Sequence, residues 1–398
     1  MSAPDLERLR FVDSADVYKA GRLCGSLRRI RGVGVEFAYD ETYLSVDGDA
    51  LASTLPLSTD VVLAPGGSLP AFFAGLLPEG RRLSLVRSAA KTSLDDELTL
   101  LLAVGADVPG DAQIVPGGEP PDEPPALVGD DVAELDLLAF VDRVDRHGIP
   151  GVQEKLSAEM ISTPVRTAGG RFILKLDPVD YPHLVRNERA HLTAARRLGI
   201  PASEAELIQD ARGADGLLVR RFDRMPSPDG SWRRRALEDA TQVLGLPPAD
   251  KYRVDSTEVV RGLAALCSAP LIAVRNLYLQ FVFAWVTGNG DLHAKNVSVL
   301  GDDHGRFQVA PIYDIPCTLL YGDDSLALPV AGRTTRLRAR HWAEFASEVG
   351  LPERAAASAN ALALRAASGV DLDELPFSGS PLRAAQRELG FRRSELGS

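Results

Sequence analysis

The chain has 398 residues, 45% hydrophobic and 25% charged, with 44 basic against 55 acidic side chains and a net charge of -11. This is ordinary globular composition with length for two or three domains, which excludes a disordered chain, and a pI near 5.2 argues against gripping nucleic acid unaided, where Lys and Arg must neutralise phosphates. Cys24, Cys267 and Cys317 are too few and too scattered for a disulfide framework or a metal cluster and are expected as buried small hydrophobes.

The first residues, Met1-Ser2-Ala3-Pro4-Asp5, lack the basic and apolar regions of a secretory signal, and the longest apolar run, within 277–286, is shorter than a bilayer. A cytoplasmic protein with no membrane span is expected. Residues 33–39 and 43–46 alternate apolar and polar side chains, the pattern of short strands in a small sheet. Phe72-Phe73-Ala74-Gly75-Leu76-Leu77-Pro78-Glu79-Gly80 follows, then helical periodicity at 81–90 and 93–104. Pro116-Gly117-Gly118-Glu119-Pro120-Pro121-Asp122-Glu123-Pro124-Pro125 reads as a connector, dense in proline, glycine and acid. The expected organisation is an α+β unit over 1–115, a linker over 116–126, a sheet-rich lobe over 127–226 and a helical lobe over 227–398.

Strand patterns at 154–160, 171–176 and 216–222 accompany a helix at 184–198, which Gly199 and Pro201 stop. From Trp232 onward the pattern is mainly helical, with one hairpin. Residues 271–286 are apolar on nearly every face, which marks a helix buried all round. It leads into Gly290-Asp291-Leu292-His293-Ala294-Lys295-Asn296, where an aspartate precedes an asparagine by five residues. That spacing places a base and a metal-binding amide in one loop of phosphoryl-transfer enzymes. Asp291 would accept or orient the proton of an attacking hydroxyl, Asn296 offers an uncharged oxygen to Mg2+, and Lys295 would neutralise the moving phosphoryl group. A hairpin at 297–300 and 307–312 returns the chain, so that Asp314, in Ile312-Tyr313-Asp314-Ile315, arrives beside Asn296.

Lys175 interrupts the apolar strand Arg171-Phe172-Ile173-Leu174-Lys175-Leu176, and a half-buried lysine needs an anionic partner, which ATP phosphates would supply. The turn after His147 and Gly148, Gly151-Val152-Gln153-Glu154-Lys155, has backbone that can wrap phosphates with its N–H groups. Arginine-rich 233–235 and 333–340 are expected as solvated faces, and His147, His183, His191, His304 and His341 show no ligand spacing.

These segments, with Asn187-Glu188, Arg221-Phe222-Asp223-Arg224, Glu238-Asp239, Gly245-Leu246-Pro247-Pro248, Lys251-Tyr252 and Ala310-Pro311-Ile312-Tyr313-Asp314, together resemble the HipA family of toxin kinases over nearly the whole chain. The resemblance implies a serine/threonine protein kinase of bilobal, phosphatidylinositol-kinase-like α+β fold, preceded by a small α+β subdomain. It implies ATP and Mg2+, with Asp291 as catalytic residue, Asn296 and Asp314 on magnesium, and Lys175 on ATP. By the same resemblance Gly151 to Lys155 lie over the phosphates, His293, Ala294, Lys295 and Asn296 close on them, and Arg221, Phe222 and Asp223 form the strand edge that meets adenine, with Tyr313 beside Asp314. It also implies a protein substrate, aminoacyl-tRNA synthetases being among the family's targets, and a small helix-turn-helix antitoxin of the HipB type that supplies the DNA contacts and holds the kinase inactive. Two positions depart from the family: Gly148 stands where a regulatory serine is usual, and Arg220 where an acidic residue precedes Arg-Phe-Asp-Arg.

Two other readings remain at this point. The Gly-Asp-Leu-His-x-x-Asn loop also resembles that of aminoglycoside and choline phosphotransferases, and a catalytically silent corepressor acting with a DNA-binding antitoxin is the third.

Overall fold

The computed structural model describes residues 6–46, 48–121, 137, 160–167 and 169–397. Its first 116 residues build an antiparallel five-stranded sheet from β1 (Ser14–Lys19), β2 (Arg22–Ile30), β3 (Gly34–Tyr39), β4 (Val62–Pro65) and β5 (Ala112–Pro116), in the order β4-β3-β2-β1-β5. Alternation along β1 buries Ala15, Val17 and Lys19 on one face. Lys19 is tolerated there because its ammonium meets the Asp111 carboxylate at 3.0 Å. Helices α1 (Glu41–Ser45), α2 (Ala71–Gly75), α3 (Gly80–Ala90) and α4 (Glu97–Val104) complete this part, whose core joins Leu27, Phe37, Phe73, Leu98 and Ile114.

The expected strand at 43–46 is wrong. Asp40 caps a helical turn there, its side chain accepting hydrogen bonds from Thr42 and Tyr43 N–H, and four alternating residues cannot outweigh a cap.

A second antiparallel sheet, ordered β6-β7-β9-β8, is made of β6 (Ile161–Thr167), β7 (Gly170–Leu176), β8 (Ala205–Gln209) and β9 (Asp215–Arg220), with α5 (Leu184–Ala195) against it. Of the strand expected at 154–160, only Met160 is among the described residues, where it precedes β6. β6 itself carries Pro164 and shows no alternation in sequence; as the edge strand it can lack a ladder N–H at that position. Gly199, in the left-handed conformation at φ 65°, ends the segment after α5 as its sequence predicts.

The remainder is mainly helical but holds more strands than the one hairpin expected. A ribbon of β10 (Arg224–Pro226) and β11 (Trp232–Arg234) is followed by β12 (Leu237–Asp239), which pairs with the hairpin of β13 (Ser298–Gly301) and β14 (Phe307–Val309). Three-residue strands offer too little pattern to be read locally. The helices are α6 (Ala240–Val243), α7 (Ser256–Leu266), α8 (Pro270–Thr287), α9 (Ala339–Glu348), α10 (Glu353–Ala367) and α11 (Gly379–Gly397).

α8 is the axis of the large core. It is long and apolar enough to cross a bilayer by length and composition, yet 72% of it is buried inside the protein, with Leu277, Phe281 and Trp285 fully enclosed. At its C-terminus, where the helix dipole favours cations, Arg392 and Arg393 of α11 donate to the Trp285 and Val286 carbonyls at 3.3 and 2.9 Å. Gly288, at φ 79°, then turns the chain into the loop carrying Asp291. All three cysteines are buried and free, as their composition suggested.

Candidate active site

The loop after α8 is held by its own side chains. Asn289 donates to the Pro316 carbonyl at 3.0 Å and accepts from Asp291 N–H at 3.0 Å, while Asn296 Nδ2 donates back to the Asp291 carbonyl at 2.9 Å. That bond uses the amide nitrogen of Asn296 and leaves its oxygen for a ligand. Asp291 is fully buried, and its Oδ1 accepts a hydrogen bond from the Tyr252 hydroxyl at 3.0 Å. His293 is buried against Tyr252, with ring centroids 5.0 Å apart, and burial pushes its imidazole down to about 3, so it is neutral and accepts from Lys295 N–H at Nδ1. Across the hairpin, the Tyr313 hydroxyl donates to the Lys295 carbonyl at 2.8 Å, which ties the start of the Asp314 segment to the Asp291 loop.

On the sheet side, Lys175 of β7 stands between two carboxylates. Its Nζ lies 2.8 Å from Glu188 Oε1 and 2.7 Å from Asp314 Oδ1. Burial works to lower the lysine's pKa, but Asp314 and Glu188 outweigh it and hold the ammonium protonated. Burial pushes the Glu188 carboxyl up, against the pull of Lys175. The preceding residue, Asn187, clamps Cys317 from both sides, donating to its carbonyl and accepting from its N–H, each at 2.9 Å. One helix, α5, therefore positions both Lys175 and the segment after Asp314. Asp314 itself has φ 56°, an uncommon conformation for a non-glycine residue.

Between these walls lies a cleft of about 300 Å3, lined by Ile173, Val219, Phe222, Lys175, Tyr313 and Asp314, with Leu76, Leu77 and Pro78 from the first sheet's side. The Phe222 and Tyr313 rings are 5.7 Å apart. Arg221 and Asp223 border the same cleft, but their charges are engaged with each other at 2.8 Å, and Arg221 also meets Asp107 at 2.7 Å. Burial would raise the Asp223 pKa; Arg221 and Arg224 keep it well below the usual carboxylate range. Asp107 also pairs with Arg224 at 2.9 Å, and Arg234 donates to the Ala106 carbonyl at 2.9 Å; the Arg234 side chain is 6% exposed and not part of the solvated face expected for 233–235.

In the same cleft, Lys295 donates to the Gly75 carbonyl at 2.9 Å and lies 3.5 Å from Glu79, whose other oxygen is 2.8 Å from Lys251. Burial acts to raise the Glu79 carboxyl, but Lys295 and Lys251 hold it down at about 2.

Comparison with known proteins decides the family. Residues 147–370 match the HipA-like C-terminal domain and residues 15–115 the HipA N-terminal domain. The chain belongs to the HipA family. It is 31% identical over 375 residues to "Putative kinase Y4mE" of Sinorhizobium fredii, covering 85% of this chain and 86% of that one. The serine/threonine-protein kinase toxin HipA of Shewanella oneidensis is 27% identical over 335 residues, 75% of this chain and 76% of that one. HipA in the Shewanella oneidensis MR-1 complex of HipA, HipB and operator DNA has the same fold, with a TM-score of 0.77 at 21% identity and 96% of each chain covered. The α+β kinase-like fold expected from the sequence is the one found.

Within this HipA-family fold, Asp291, His293, Ala294, Lys295 and Asn296 share one loop, Tyr313 reaches that loop at the Lys295 carbonyl, Asp314 pairs with Lys175, and Lys175, Lys295, Tyr313 and Asp314 line one cleft. Of the Arg221-Phe222-Asp223 triplet, Phe222 has its side chain free of ion pairs. Gly151, Val152, Gln153, Glu154 and Lys155, and Gly148 before them, lie outside the described residues. Arg220, the last residue of β9, pairs with Glu204 at 3.0 Å and sits over the Phe172 ring.

Reading the sequence assigned no role to Glu188, Tyr252, Lys251 or Glu79, although all four lie in motifs that carried the resemblance. A charged residue at a buried helical position, such as Glu188, was the available signal. Among the described residues no group of three or more His, Cys, Asp or Glu side chains could hold a metal. One carboxylate and one amide oxygen nevertheless suit Mg2+, which keeps waters and takes its other oxygens from substrate phosphates.

Proposed function

We propose that this protein is an ATP-dependent serine/threonine protein kinase, the cytoplasmic toxin of a toxin-antitoxin pair. The single observation that carries the reading is Lys175, bridging Glu188 and Asp314 in the cleft that Lys295 of the Asp291 loop also lines. A buried lysine shared by a helix glutamate and a metal-side aspartate is the arrangement that orients nucleotide phosphates in protein kinases.

In this reading adenine enters the apolar cleft between Ile173, Val219 and Phe222, and Lys175 holds the inner phosphates. Mg2+, when bound, neutralises charge on the phosphate oxygens, with Asn296 and Asp314 as its protein ligands. Asp291, oriented through Tyr252, accepts the proton of a serine or threonine hydroxyl as that oxygen bonds to the γ-phosphorus. The bond from the γ-phosphorus to the bridging oxygen breaks and ADP leaves. Lys295 meets the charge on the transferred group.

The target is a protein of the translation machinery, an aminoacyl-tRNA synthetase being the case the family suggests, and its modification slows growth. A small helix-turn-helix protein of the HipB type is the partner, which supplies the DNA contacts that a chain of net charge -11 is ill suited to make.

Asp291→Asn tests the reading. The variant is expected to keep its thermal midpoint and Mg-ATP affinity while phosphate transfer to lysate proteins, mapped by mass spectrometry, and growth arrest both disappear. Undiminished transfer would refute the role of Asp291, and labelling of a small metabolite in place of protein would refute the substrate class.

A further inference from the structure

Glu79 is the residue before α3, yet its side chain makes no capping hydrogen bond to that helix. It is committed elsewhere: to Lys251, 172 positions along the chain, at 2.8 Å, and to Lys295 at 3.5 Å. Lys295 belongs to the Asp291 loop and Lys251 is bonded to it. The Lys251 carbonyl accepts the Ala294 N–H at 3.1 Å, closing that loop, and the adjacent Tyr252 hydroxyl donates to Asp291. Lys295 is held a second time by the same segment through the Gly75 carbonyl.

The approach is close enough to be specific. A Cβ on Gly75 would come within 2.6 Å of the Gln242 side chain, and Gln242 donates to the Phe72 carbonyl at 2.9 Å. The segment from Phe72 to Glu79 is thus seated against the helix that follows β12, with its one carboxylate aimed between two cations. Glu79 side-chain exposure is 30%, and the lysines' are 12% and 11%, so solvent screening of the three charges is reduced.

We propose that Glu79 is a positioning residue for phosphoryl transfer: by holding Lys295 of the Asp291 loop and Lys251, whose carbonyl closes that loop, the N-terminal part of the chain completes the active site of the rest. The proposal rests on the kinase reading for its chemistry but not for its geometry. Glu79 touches neither reacting atom. It fixes the Lys251-Tyr252 turn, and through it the Asp291 carboxylate, and it keeps the Lys295 ammonium from wandering out of the cleft. A misplaced base or cation weakens transition-state contacts more than substrate binding.

Glu79→Gln, which keeps the shape and removes the charge, is the test in the full-length protein. Expected are a fall in kcat of about 10-fold or more with the KM for ATP changed by less than about 3-fold, and faster amide exchange of residues 288–296 without nucleotide. Glu79→Asp, which keeps the charge on a shorter arm, should fall between wild type and Glu79→Gln. Should Glu79→Gln fold poorly, Lys251→Met removes the same ion pair from its other side and should show the same split. Unchanged kcat and unchanged exchange would overturn the proposal, as would a rise in kcat, which would make Glu79 an inhibitory counter-ion. The exchange measurement separates this proposal from the kinase reading: a wild type that transfers no phosphate while Glu79→Gln loosens 288–296 refutes the reading and leaves the positioning role standing.

Discussion

Lys175 and Lys295 approach the cleft from its two walls and are held there by different means. Lys175 belongs to a strand, and its partners, Glu188 thirteen residues later and Asp314, are nearly or partly sealed from water, with Glu188 fully buried. Lys295 belongs to a loop, and what holds it comes from more than two hundred residues earlier, the Gly75 carbonyl and the Glu79 carboxylate. The Lys175 wall is a buried ion-pair triad whose members depend on one another for burial. The Lys295 wall is a docking contact, in which removing one cation leaves Glu79 still paired with Lys251. Stability and transfer should therefore be coupled on one side of the cleft and separable on the other.

The strongest way to break that contrast is Lys175→Met. It leaves Glu188 buried without its cation, and such a loss costs about 3 kcal/mol or more, read as a lower urea midpoint, together with loss of transfer. A destabilisation below about 1 kcal/mol would mean that the two walls do not differ. Lys295→Met is the counterpart. Transfer should fall about 100-fold, the scale of removing one contact to developing charge, with stability changed by less than about 1 kcal/mol.

The smallest effect comes from pH. His191 lies on α5 with Glu188, is fully buried, and its Nδ1 is 2.8 Å from the Asn187 carbonyl. Burial pushes its pKa from 6.5 to about 4, so the unfolded chain binds its proton first as pH falls. Stability from this group is therefore complete above pH 6.5 and declines as pH falls from 6.5 toward 4. Between neutrality and mildly acid conditions the loss should be about 1 kcal/mol, measured by denaturation at a series of pH values, and His191→Gln should flatten that slope.

The local motifs were legible because their geometry is local. Asp291 and Asn296 sit in one loop, α8 announced itself by being apolar all round, and the hairpin of β13 and β14 needed only alternation and a turn. Lys175 could be read as requiring an anion. Which anion it has depended on α5 packing against the second sheet, and so Glu188 passed without a role. β6 was invisible because Pro164 on an edge strand reads as a break, and residues 43–46 were misread because Asp40 caps a turn of helix too short to show periodicity. Arg234 looked like one of a solvated trio, but its contacts at Ala106 and Asp107 shield its side chain.

By itself the amino-acid sequence determined the α+β class, the buried helix and the loop chemistry it presents, since residue spacing and hydrophobic period act over a few turns of chain. Only the tertiary structure decided which charges neutralise one another across that loop. Ion-pair partners are chosen by distance in space, and Glu79, Lys251 and Lys295 come within reach only once the N-terminal sheet has docked on the helical lobe.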